Sequence, residues 1–323
     1  MRKIVLIELL LCYFVVNVLT CQLFNLSTYQ LHSTMFTIEN NQVKAVINAK
    51  GAELTQLILK EHQLDYMWGG DPAVWGKHSP VLFPIVGSLK NNTYYYNGQA
   101  YQLPRHGFAR DKQFAVESQS ADTITFLLRY DAETATVYPF AFEFRIRYTL
   151  VDNSLAVAYE VVNPAKEDLY FSVGAHPAFK IPLVPGTAYT DYALQFNQAE
   201  TAPRWPISPD GLIEQTPLPL LQNTNHLNLT KDLFQKDALV LKSMASTIVT
   251  LSSSKTPRGF RFDYPGFPFM GIWAAKNADF VCIEPWCGIA DSVATTQQLQ
   301  EKEGINKLVA GEKFSRTWTI TLM

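Results

Sequence analysis

The stretch FAFEFRIRYTLVDNSLAVAYEVV, residues 140–162, decides the fold class of this chain. Apolar and polar residues alternate through its first half, a turn follows over residues 151–154, and an apolar run then returns. Such alternation indicates a half-buried strand, because successive side chains of a strand point to opposite faces. The segment therefore predicts an antiparallel ribbon with one apolar face and one face that carries Glu143, Arg145 and Arg147.

The same period-two, aromatic-rich pattern recurs along the rest of the chain. Asn97-Gly98 lies between strand formers in residues 94–103, and Asn-Gly is the strongest short signal for a hairpin turn. No long window has a helical period, and only a short turn near residues 296–303 is a helix candidate. The other predicted strands lie at residues 124–130, 189–196, 238–242, 247–252, 259–264 and 314–322.

The composition favours a large all-β domain. The 323 residues are 47% hydrophobic and only 17% charged, which excludes a disordered chain and implies a large buried core. Twenty Phe, 15 Tyr and 6 Trp favour strands. The proline-rich stretches 177–185 and 202–218 are typical of surface loops. We therefore predict one large antiparallel β-sandwich, a single domain that spans residues 35–323.

The charge balance argues against a nucleic-acid partner. The chain has 27 Lys+Arg and 29 Asp+Glu, a net charge of −2. Proteins that bind nucleic acid normally show a surplus of clustered Lys and Arg. Four Cys are too few for a disulfide-stapled fold, and a chain of this length needs no such staple.

Residues 1–34 form a separate segment with several interpretations. A basic start precedes an apolar run at residues 4–20, as in an export signal. The run ends at Cys21 in a pattern similar to a bacterial lipoprotein site, and it is short for a membrane span. Alternatively, Met35 is the true start. The protein is therefore cytoplasmic if it starts at Met35, and otherwise exported or lipid-anchored; a membrane partner is expected only if residues 1–34 act as an anchor.

Three segments combine titratable residues with Gly, Pro and aromatic residues. The first, residues 75–112, contains HSPVLFPIVG at 78–87 and RHGFARD at 105–111. The second reads SVGAHPAF at 172–179, and the third reads DFVCIEPWCGIAD at 279–291.

Glu284 and His176 are the main candidates for proton transfer. Glu284 follows an apolar strand and precedes a Pro-Trp pair, so we expect burial to raise the pKa of its carboxyl. The alternative is a structural Glu paired with an Arg. His176 lies between small residues and a proline, and imidazole exchanges protons near pH 7. A hydrogen-bonded core His is the alternative for both His176 and His106.

The sequence predicts no metal site and no cofactor. The His-x-His pair typical of β-sandwich metal sites and the paired short spacings of zinc fingers are missing from it. Cys282 and Cys287 flank Glu284, but such a Cys pair alone is a weak metal signal. Cys282 and Glu284 would share one face of a strand. The phosphate-loop, dinucleotide-binding and serine-hydrolase motifs do not occur either.

The three segments, in this order, resemble the aldose 1-epimerase (galactose mutarotase) family, in the branch that includes the hexose-6-phosphate mutarotases. The matching motifs are Phe-Pro-x-x-Gly, His-Gly-Phe-Ala-Arg and Gly-x-His-Pro-Ala-Phe. The likeness covers nearly all of residues 35–323. It implies a galactose mutarotase-like supersandwich with a sugar site on one open face, and chemistry that needs no cofactor.

The resemblance also implies roles for single residues. Glu284 matches the family's general base and His176 its general acid. His106 matches a His that hydrogen-bonds the sugar, and Asp237 matches a substrate-contacting Asp. His78 has a weaker context, and we expect it to support the mouth of the site.

One position departs from the family pattern. Ser88 follows Gly87, where many members carry a sugar-contacting Arg, so either full activity or the usual substrate is in doubt. Lys90 or Arg110 could supply the lost donor. A phosphate needs a cluster of cations, and the basic residues near the first segment permit one, although solvated charge explains them equally well. These residues are Lys77, Lys90, Arg105, Arg110 and Lys112.

Tryptophans are the candidates for stacking on a sugar, with core packing as the alternative for each. They are Trp68, Trp75, Trp273 and Trp286.

The sequence thus predicts an enzyme, an aldose 1-epimerase (mutarotase) that interconverts the α and β anomers of an aldohexose or a hexose phosphate by acid–base ring opening and closure. The partner would be a small-molecule sugar or sugar phosphate. A non-catalytic carbohydrate-binding protein on the same fold is the first alternative, motivated by Ser88. A glycoside hydrolase or lyase is the second: Asp237 and Glu284 could serve as its two carboxylates, but His176 would then have no role.

Overall fold

Twenty-two strands are the main secondary structure in the part of the chain that the computed structural model describes, residues 34–323. The predictions of an export signal, an anchor or an extension at residues 1–34 concern a segment that, apart from Thr34, lies outside the described residues. No helix within residues 34–323 has the length and apolar character needed to cross a membrane.

The strands are numbered in chain order. They are β1 (Met35–Glu39), β2 (Val43–Asn48), β3 (Glu53–Leu59), β4 (Leu64–Asp65), β5 (Thr93–Tyr96), β6 (Gln99–Gln102), β7 (Ala115–Gln119), β8 (Thr123–Arg129), β9 (Glu143–Val151), β10 (Ser154–Val162), β11 (Leu169–Phe171), β12 (Val173–Gly174), β13 (Ala178–Lys180), β14 (Tyr192–Glu200), β15 (Thr224–Asn228), β16 (Leu239–Lys242), β17 (Ile248–Ser253), β18 (Phe260–Asp263), β19 (Phe269–Trp273), β20 (Phe280–Cys287), β21 (Asn306–Leu308) and β22 (Lys313–Leu322).

One α-helix, α1 (Ala132–Val137), interrupts the strands of the described residues. Short 3-10 turns lie at Lys60–His62, Lys90–Asn92, Ala109–Asp111, Tyr189–Asp191, Lys231–Phe234 and Leu299–Glu301.

The largest sheet has nine antiparallel strands in the order β15-β14-β17-β18-β22-β10-β9-β8-β7. Strands β9 and β10 form the predicted ribbon, with Val151 paired to Ser154 across the turn. Burial alternates along β9, where Phe144 and Ile146 are buried while Arg147 is exposed. The sequence alternation therefore reflects a sheet with one face on the core and one face in solvent.

A second antiparallel sheet has the order β12-β20-β19-β16, with β13 also paired to β20. All eight residues of β20 are buried, which explains why its sequence is almost continuously apolar instead of alternating. Strands β12 and β13 are very short, and residues 175–177 lie between them. Smaller sheets are β1-β2-β3-β4, β5-β6 and β11-β21.

One hydrophobic core joins side chains from several of these sheets. It contains Phe83, Phe144, Phe179, Phe262 and Trp318, all buried. Phe83 stacks on Phe144 with 4.5 Å between ring centroids, and Phe262 stacks on Trp318 at 5.1 Å. The high aromatic content therefore fills this core, and the all-β, antiparallel prediction is confirmed.

The helix candidate near residues 296–303 is a short turn, as expected, namely the 3-10 turn Leu299–Glu301. Two other local predictions are wrong, because an α-helix forms elsewhere and one proline-rich stretch is buried. The α-helix is α1, which begins after Asp131, whose carboxylate accepts a hydrogen bond from the backbone N–H of Thr134 at 2.7 Å. Six residues are too few to show a helical period in sequence. The proline-rich stretch 177–185 is not a surface loop, because it contains β13 and is mostly buried against β20.

Candidate active site

The pairing of β20 with its two short neighbours sets the centre of the site. Gly174 in β12 lies opposite Trp286, and Ala178 in β13 lies opposite Cys282. This register brings His176, between the two strands, opposite Glu284. The imidazole Nε2 of His176 is 3.4 Å from Oε2 of Glu284. Two residues that are far apart in the sequence are therefore cross-strand neighbours.

Glu284 is almost completely enclosed, with 2% of its surface exposed. Burial raises the pKa of its carboxyl well above the usual range, and the nearby Arg105 guanidinium opposes this shift. A carboxyl with a raised pKa is a stronger base once it has lost its proton. This agrees with the expectation drawn from the apolar run around it.

His176 is enclosed by aromatic rings. It stacks on Trp75, with 5.0 Å between ring centroids and 24° between planes, and Trp273 meets it edge-on at 5.5 Å. Burial lowers the pKa of His176 to about 3. Its Nδ1 atom is buried and has no hydrogen-bond partner among residues 34–323. The ring is thus held mainly by packing.

His106 lies beside His176, with 5.7 Å between ring centroids. Its backbone has φ of +70°, which only a tight turn imposes on such a residue. The backbone N–H of Gly87 donates to Nδ1 of His106 at 3.1 Å, and burial lowers the pKa of the imidazole well below its usual value. The ring is therefore neutral with its proton on Nε2, so Nε2 can act as a donor.

Trp286 forms a wall of the site because two glycines leave space for its indole ring. A Cβ on Gly271 would lie 2.3 Å from the Trp286 ring, and a Cβ on Gly174 would lie 2.6 Å from it. Both positions therefore need glycine for steric reasons. The indole N–H is buried and has no hydrogen-bond partner within the described residues.

These side chains surround one open cleft of about 440 Å³, a volume typical of small-molecule sites. The cleft brings together six of the predicted site residues: His106, Arg110, His176, Asp237, Glu284 and Trp286. His78 is not among its lining residues. The His78 imidazole packs against Gly70, and its backbone N–H donates to the Glu53 carboxylate at 2.7 Å.

Comparison with known proteins gives the family. A model of the family described as aldose 1-epimerase matches residues 34–303. The chain belongs to the aldose 1-epimerase family. The resemblance noted from the sequence motifs is thereby confirmed.

Proteins similar to this aldose 1-epimerase family member include one from Lactococcus and two from Lactobacillus species. The chain is 33% identical over 295 residues to the plasmid-encoded protein LacX of Lactococcus lactis subsp. lactis, covering 88% of this chain and 98% of LacX.

Two solved structures share the fold. One is a galactose mutarotase related enzyme from Lactobacillus acidophilus, with 37% identity and a TM-score of 0.83 over 90% of this chain and 97% of that one. The other is a galactose mutarotase-like protein from Lactobacillus casei, with 31% identity and a TM-score of 0.85 over 90% of this chain and all of that one.

In this aldose 1-epimerase family member, Ser88 is covered by a loop. Ser88 is buried, and its Oγ lies 2.6 Å from where a Cβ on Gly211 would stand. The loop at residues 206–214 is fixed by hydrogen bonds from Trp205 to Val240 and from Ile213 to Asp291. A long side chain at position 88 would collide with this loop, so the short Ser and the loop match each other.

The two substitute donors considered from the sequence differ in their positions. The ammonium of Lys90 donates to the Val293 carbonyl at 3.0 Å, and Lys90 does not line the cleft. Arg110 does line the cleft, and one of its Nη atoms donates to the Arg105 carbonyl at 2.9 Å.

Sequence reasoning missed several parts of the cleft. Ile207, Gly211 and Ile213 come from the irregular loop at 206–214, and Lys276 follows β19. None of these residues carries a motif that marks it in sequence. Trp75 stacks on His176 and also on Phe280, so its stacking partners in this structure are protein rings.

Cys282 lies close to the His176–Glu284 pair. One ligand-type atom of each of the three residues lies within 4.8 Å of the others. Burial raises the pKa of the Cys282 thiol and of the Glu284 carboxyl, so both favour their protonated forms, which are poor metal ligands. The expectation of a site without metal stays a prediction.

Proposed function

We propose that this protein is an aldose 1-epimerase, a mutarotase that interconverts the α and β anomers of an aldohexose or a hexose phosphate. The observation that carries the proposal is the convergence of Glu284, His176 and His106 on one open cleft. A single carboxyl beside a single imidazole can take one proton while giving another, which is what anomer exchange requires.

In the proposed reaction, the single proton of the pair first passes from the Glu284 carboxyl to Nε2 of His176, 3.4 Å away. Glu284 then takes the proton of the C1 hydroxyl while His176 gives a proton to the ring oxygen. The bond between C1 and the ring oxygen breaks, and the C1 oxygen becomes the carbonyl of an open-chain aldehyde. Rotation about the C1–C2 bond presents the other face of the carbonyl. Closure then reverses both proton transfers and restores the enzyme, so the reaction consumes no proton and no electron.

The surroundings of the pair fit this exchange. Burial raises the pKa of Glu284 and lowers that of His176, so the single proton of the resting pair lies on Glu284 and can be shared with the neutral imidazole. Each shift strengthens the proposed role, because Glu284 becomes a stronger base and the His176 imidazolium a stronger acid. The stacked face of Trp75 favours the imidazolium through its π-electrons. His106 can hold a sugar oxygen through Nε2–H.

The two alternatives fit the cleft less well. A non-catalytic carbohydrate-binding protein would not require a carboxyl and an imidazole to be buried 3.4 Å apart in its binding cleft. A glycoside hydrolase would need Asp237 and Glu284 to flank the scissile bond. However, Oδ1 of Asp237 accepts from the Ala238 N–H at 2.8 Å and Oδ2 faces Arg105 at 3.7 Å, while His176 contacts Glu284 directly.

Exchange spectroscopy by NMR measures the proposed activity directly. We expect the protein to accelerate α–β exchange of at least one of glucose, galactose and glucose 6-phosphate, and Glu284→Gln to remove that acceleration. Equal exchange rates for the two proteins with all three sugars would contradict the proposal. Binding of a sugar without faster exchange would favour the carbohydrate-binding alternative, and release of reducing sugar from an oligosaccharide would favour the hydrolase.

A further inference from the structure

The cleft is lined by more positive than negative side chains, although the chain as a whole has a net charge of −2. Arg105, Arg110 and Lys276 line it, against the carboxyls of Asp237 and Glu284. Glu284 is the most deeply buried of these groups, with 2% of its surface exposed. A cleft with a surplus of one sign attracts ligands of the opposite sign.

Arg105 has the most available of these charges. Its side chain is 46% exposed, and its nearest ion-pair partner is Oδ2 of Asp237 at 3.7 Å, beyond hydrogen-bond distance. Among residues 34–323, its guanidinium donates no hydrogen bond within normal distance. One of its Nη atoms is 3.9 Å from the position of a Cβ on Gly211. The guanidinium therefore stands between Asp237 and the 206–214 loop.

Hydrogen bonds fix the backbone around Arg105, although its guanidinium donates no hydrogen bond to the described residues. Arg110 donates to the Arg105 carbonyl at 2.9 Å, and the next residue, His106, donates from its backbone N–H to the Gly87 carbonyl at 2.9 Å. A guanidinium on a fixed backbone loses less conformational freedom when it binds a ligand. This arrangement suits a binding group better than a solvated surface charge.

Lys276 is the other available cation of the cleft, and it has no ion-pair partner in the described part of the chain. It is exposed and lines the cleft. Other lysines of the first segment are occupied elsewhere: Lys77 lies 3.3 Å from Asp111, and Lys112 lies 2.6 Å from Glu133. The sequence alone could not separate the available cations from the paired ones.

We propose that Arg105, assisted by the charge of Lys276, binds an anionic group of the substrate, so that the preferred substrate is an aldose with a phosphate ester or a carboxylate. The planar fork of a guanidinium matches either group with two parallel hydrogen bonds. Asp237 holds the guanidinium at the cleft without saturating it. This inference rests on the proposed function and narrows its substrate class.

The test compares three substrates that differ at C6: glucose, glucose 6-phosphate and glucuronate. We expect kcat/KM for anomer exchange to be higher for at least one charged sugar than for glucose. Arg105→Gln should lower kcat/KM for the charged sugar by about 10- to 100-fold, mainly through KM, with a much smaller change for glucose. Arg105→Lys should restore part of the loss. The two charged substrates distinguish a phosphate from a carboxylate.

Arg261→Gln is the matched control. Arg261 pairs with Asp263 on the exposed side of β18 and does not line the cleft, so this variant should behave as wild type with all three sugars. Glucose turned over as well as both charged sugars, or an equal loss for all three in Arg105→Gln, would overturn the anionic assignment.

A binding measurement separates this inference from the proposed function. Glucose 6-phosphate and glucuronate are titrated calorimetrically into wild type, Arg105→Gln and Arg261→Gln. If no sugar is turned over but a charged sugar binds wild type and Arg261→Gln more tightly than Arg105→Gln, the function fails and the anion site stands. Equal binding by all three proteins, or binding by none of them, overturns the anion site.

Discussion

The nine-stranded sheet and the five-stranded sheet treat charged side chains in opposite ways. On the nine-stranded sheet, Arg145 lies within 4 Å of three carboxylates, 2.8 Å from those of Glu117 and Glu143 and 3.7 Å from that of Glu160. On the five-stranded sheet, Glu284 is buried beside His176 at 3.4 Å, and no Arg or Lys of the described part of the chain forms an ion pair with it. On the first sheet, each charged group has an ion-pair partner of opposite sign. On the second sheet, the charged forms of Glu284 and His176 are unfavourable because both groups are buried, and this makes the pair reactive in proton transfer.

This difference indicates which part of the protein contains groups that lower its stability but serve its activity. Buried polar groups normally find hydrogen-bond partners, and exceptions cluster at functional sites. Buried Nδ1 of His176 and Nε1 of Trp286 have no partners among residues 34–323, and both residues line the cleft. Substitutions that compare a glutamate of one sheet with a glutamate of the other test this difference directly.

The largest expected effect is on catalysis. Glu284→Gln keeps the shape of the side chain but removes the base, so we expect anomer exchange to slow by about 10²–10⁴-fold. Glu160→Gln, on the nine-stranded sheet, should leave the rate unchanged. NMR exchange with the best substrate measures both. A rate for Glu284→Gln within twofold of wild type would contradict the assignment of Glu284 as the base.

The second expected effect is on the pH dependence of stability. The folded-state pKa of Glu284 is raised, so the stability that its proton contributes is full below the unfolded pKa of about 4.5 and is lost as the pH rises through the folded pKa. Gln does not titrate. The free energy of unfolding of Glu284→Gln minus that of wild type should therefore increase by about 1.4 kcal/mol per pH unit within that window.

Urea denaturation at several pH values above 5 measures this difference. The wild-type protein and Glu284→Gln are compared in the same buffers. A flat difference for Glu284→Gln would mean that the pKa of Glu284 is not raised in the folded protein.

The third effect is smaller and falls on stability alone. Arg145→Met removes the centre of the carboxylate group on the nine-stranded sheet while keeping an apolar stem. We expect a loss of about 1 kcal/mol in the free energy of unfolding, because partly exposed ion pairs contribute little. Anomer exchange should be unchanged. A loss of activity without a loss of stability would show that the two sheets do not divide the tasks in this way.

The smallest expected effect is on the pH dependence of activity, where kcat/KM should stay nearly constant between pH 5 and 7. Burial lowers the pKa of His176 to about 3, so the His176–Glu284 pair should not gain a second proton between pH 5 and 7. We therefore expect kcat/KM for a neutral sugar to change less than twofold over that range. An acid limb near pH 6.5, the usual pKa of an imidazole, would show that His176 is more solvated than the structure indicates.

Local patterns predicted much of the fold. The alternating ribbon of residues 140–162 became β9 and β10, although β9 begins at Glu143 rather than at Phe140. The Asn97-Gly98 turn joins β5 to β6 as expected. The prediction of a surface loop at 177–185 is wrong because the burial of this stretch comes from pairing with β20, which lies about a hundred residues further along the chain. Sequence patterns report local periods, not distant partners.

In the candidate site too, the features that local motifs mark could be predicted, whereas those that depend on distant neighbours could not. Motif-bearing residues such as His106, His176 and Glu284 could be named from the sequence. The availability of Arg105 could not, because it depends on which neighbouring carboxylates lie close to which cations. Nor could the covering of Ser88 by Gly211, since a glycine in an irregular loop has no distinguishing sequence context.

The indole of Trp286 has a consequence for how this sequence can evolve. Gly174 and Gly271 belong to different strands, yet both lie against the same ring. A first mutation at either glycine would therefore be selected against while the tryptophan is present, and a smaller residue at 286 would relax both positions at once. Among descendants of this chain, the three positions should vary together or not at all, with the change at 286 coming first.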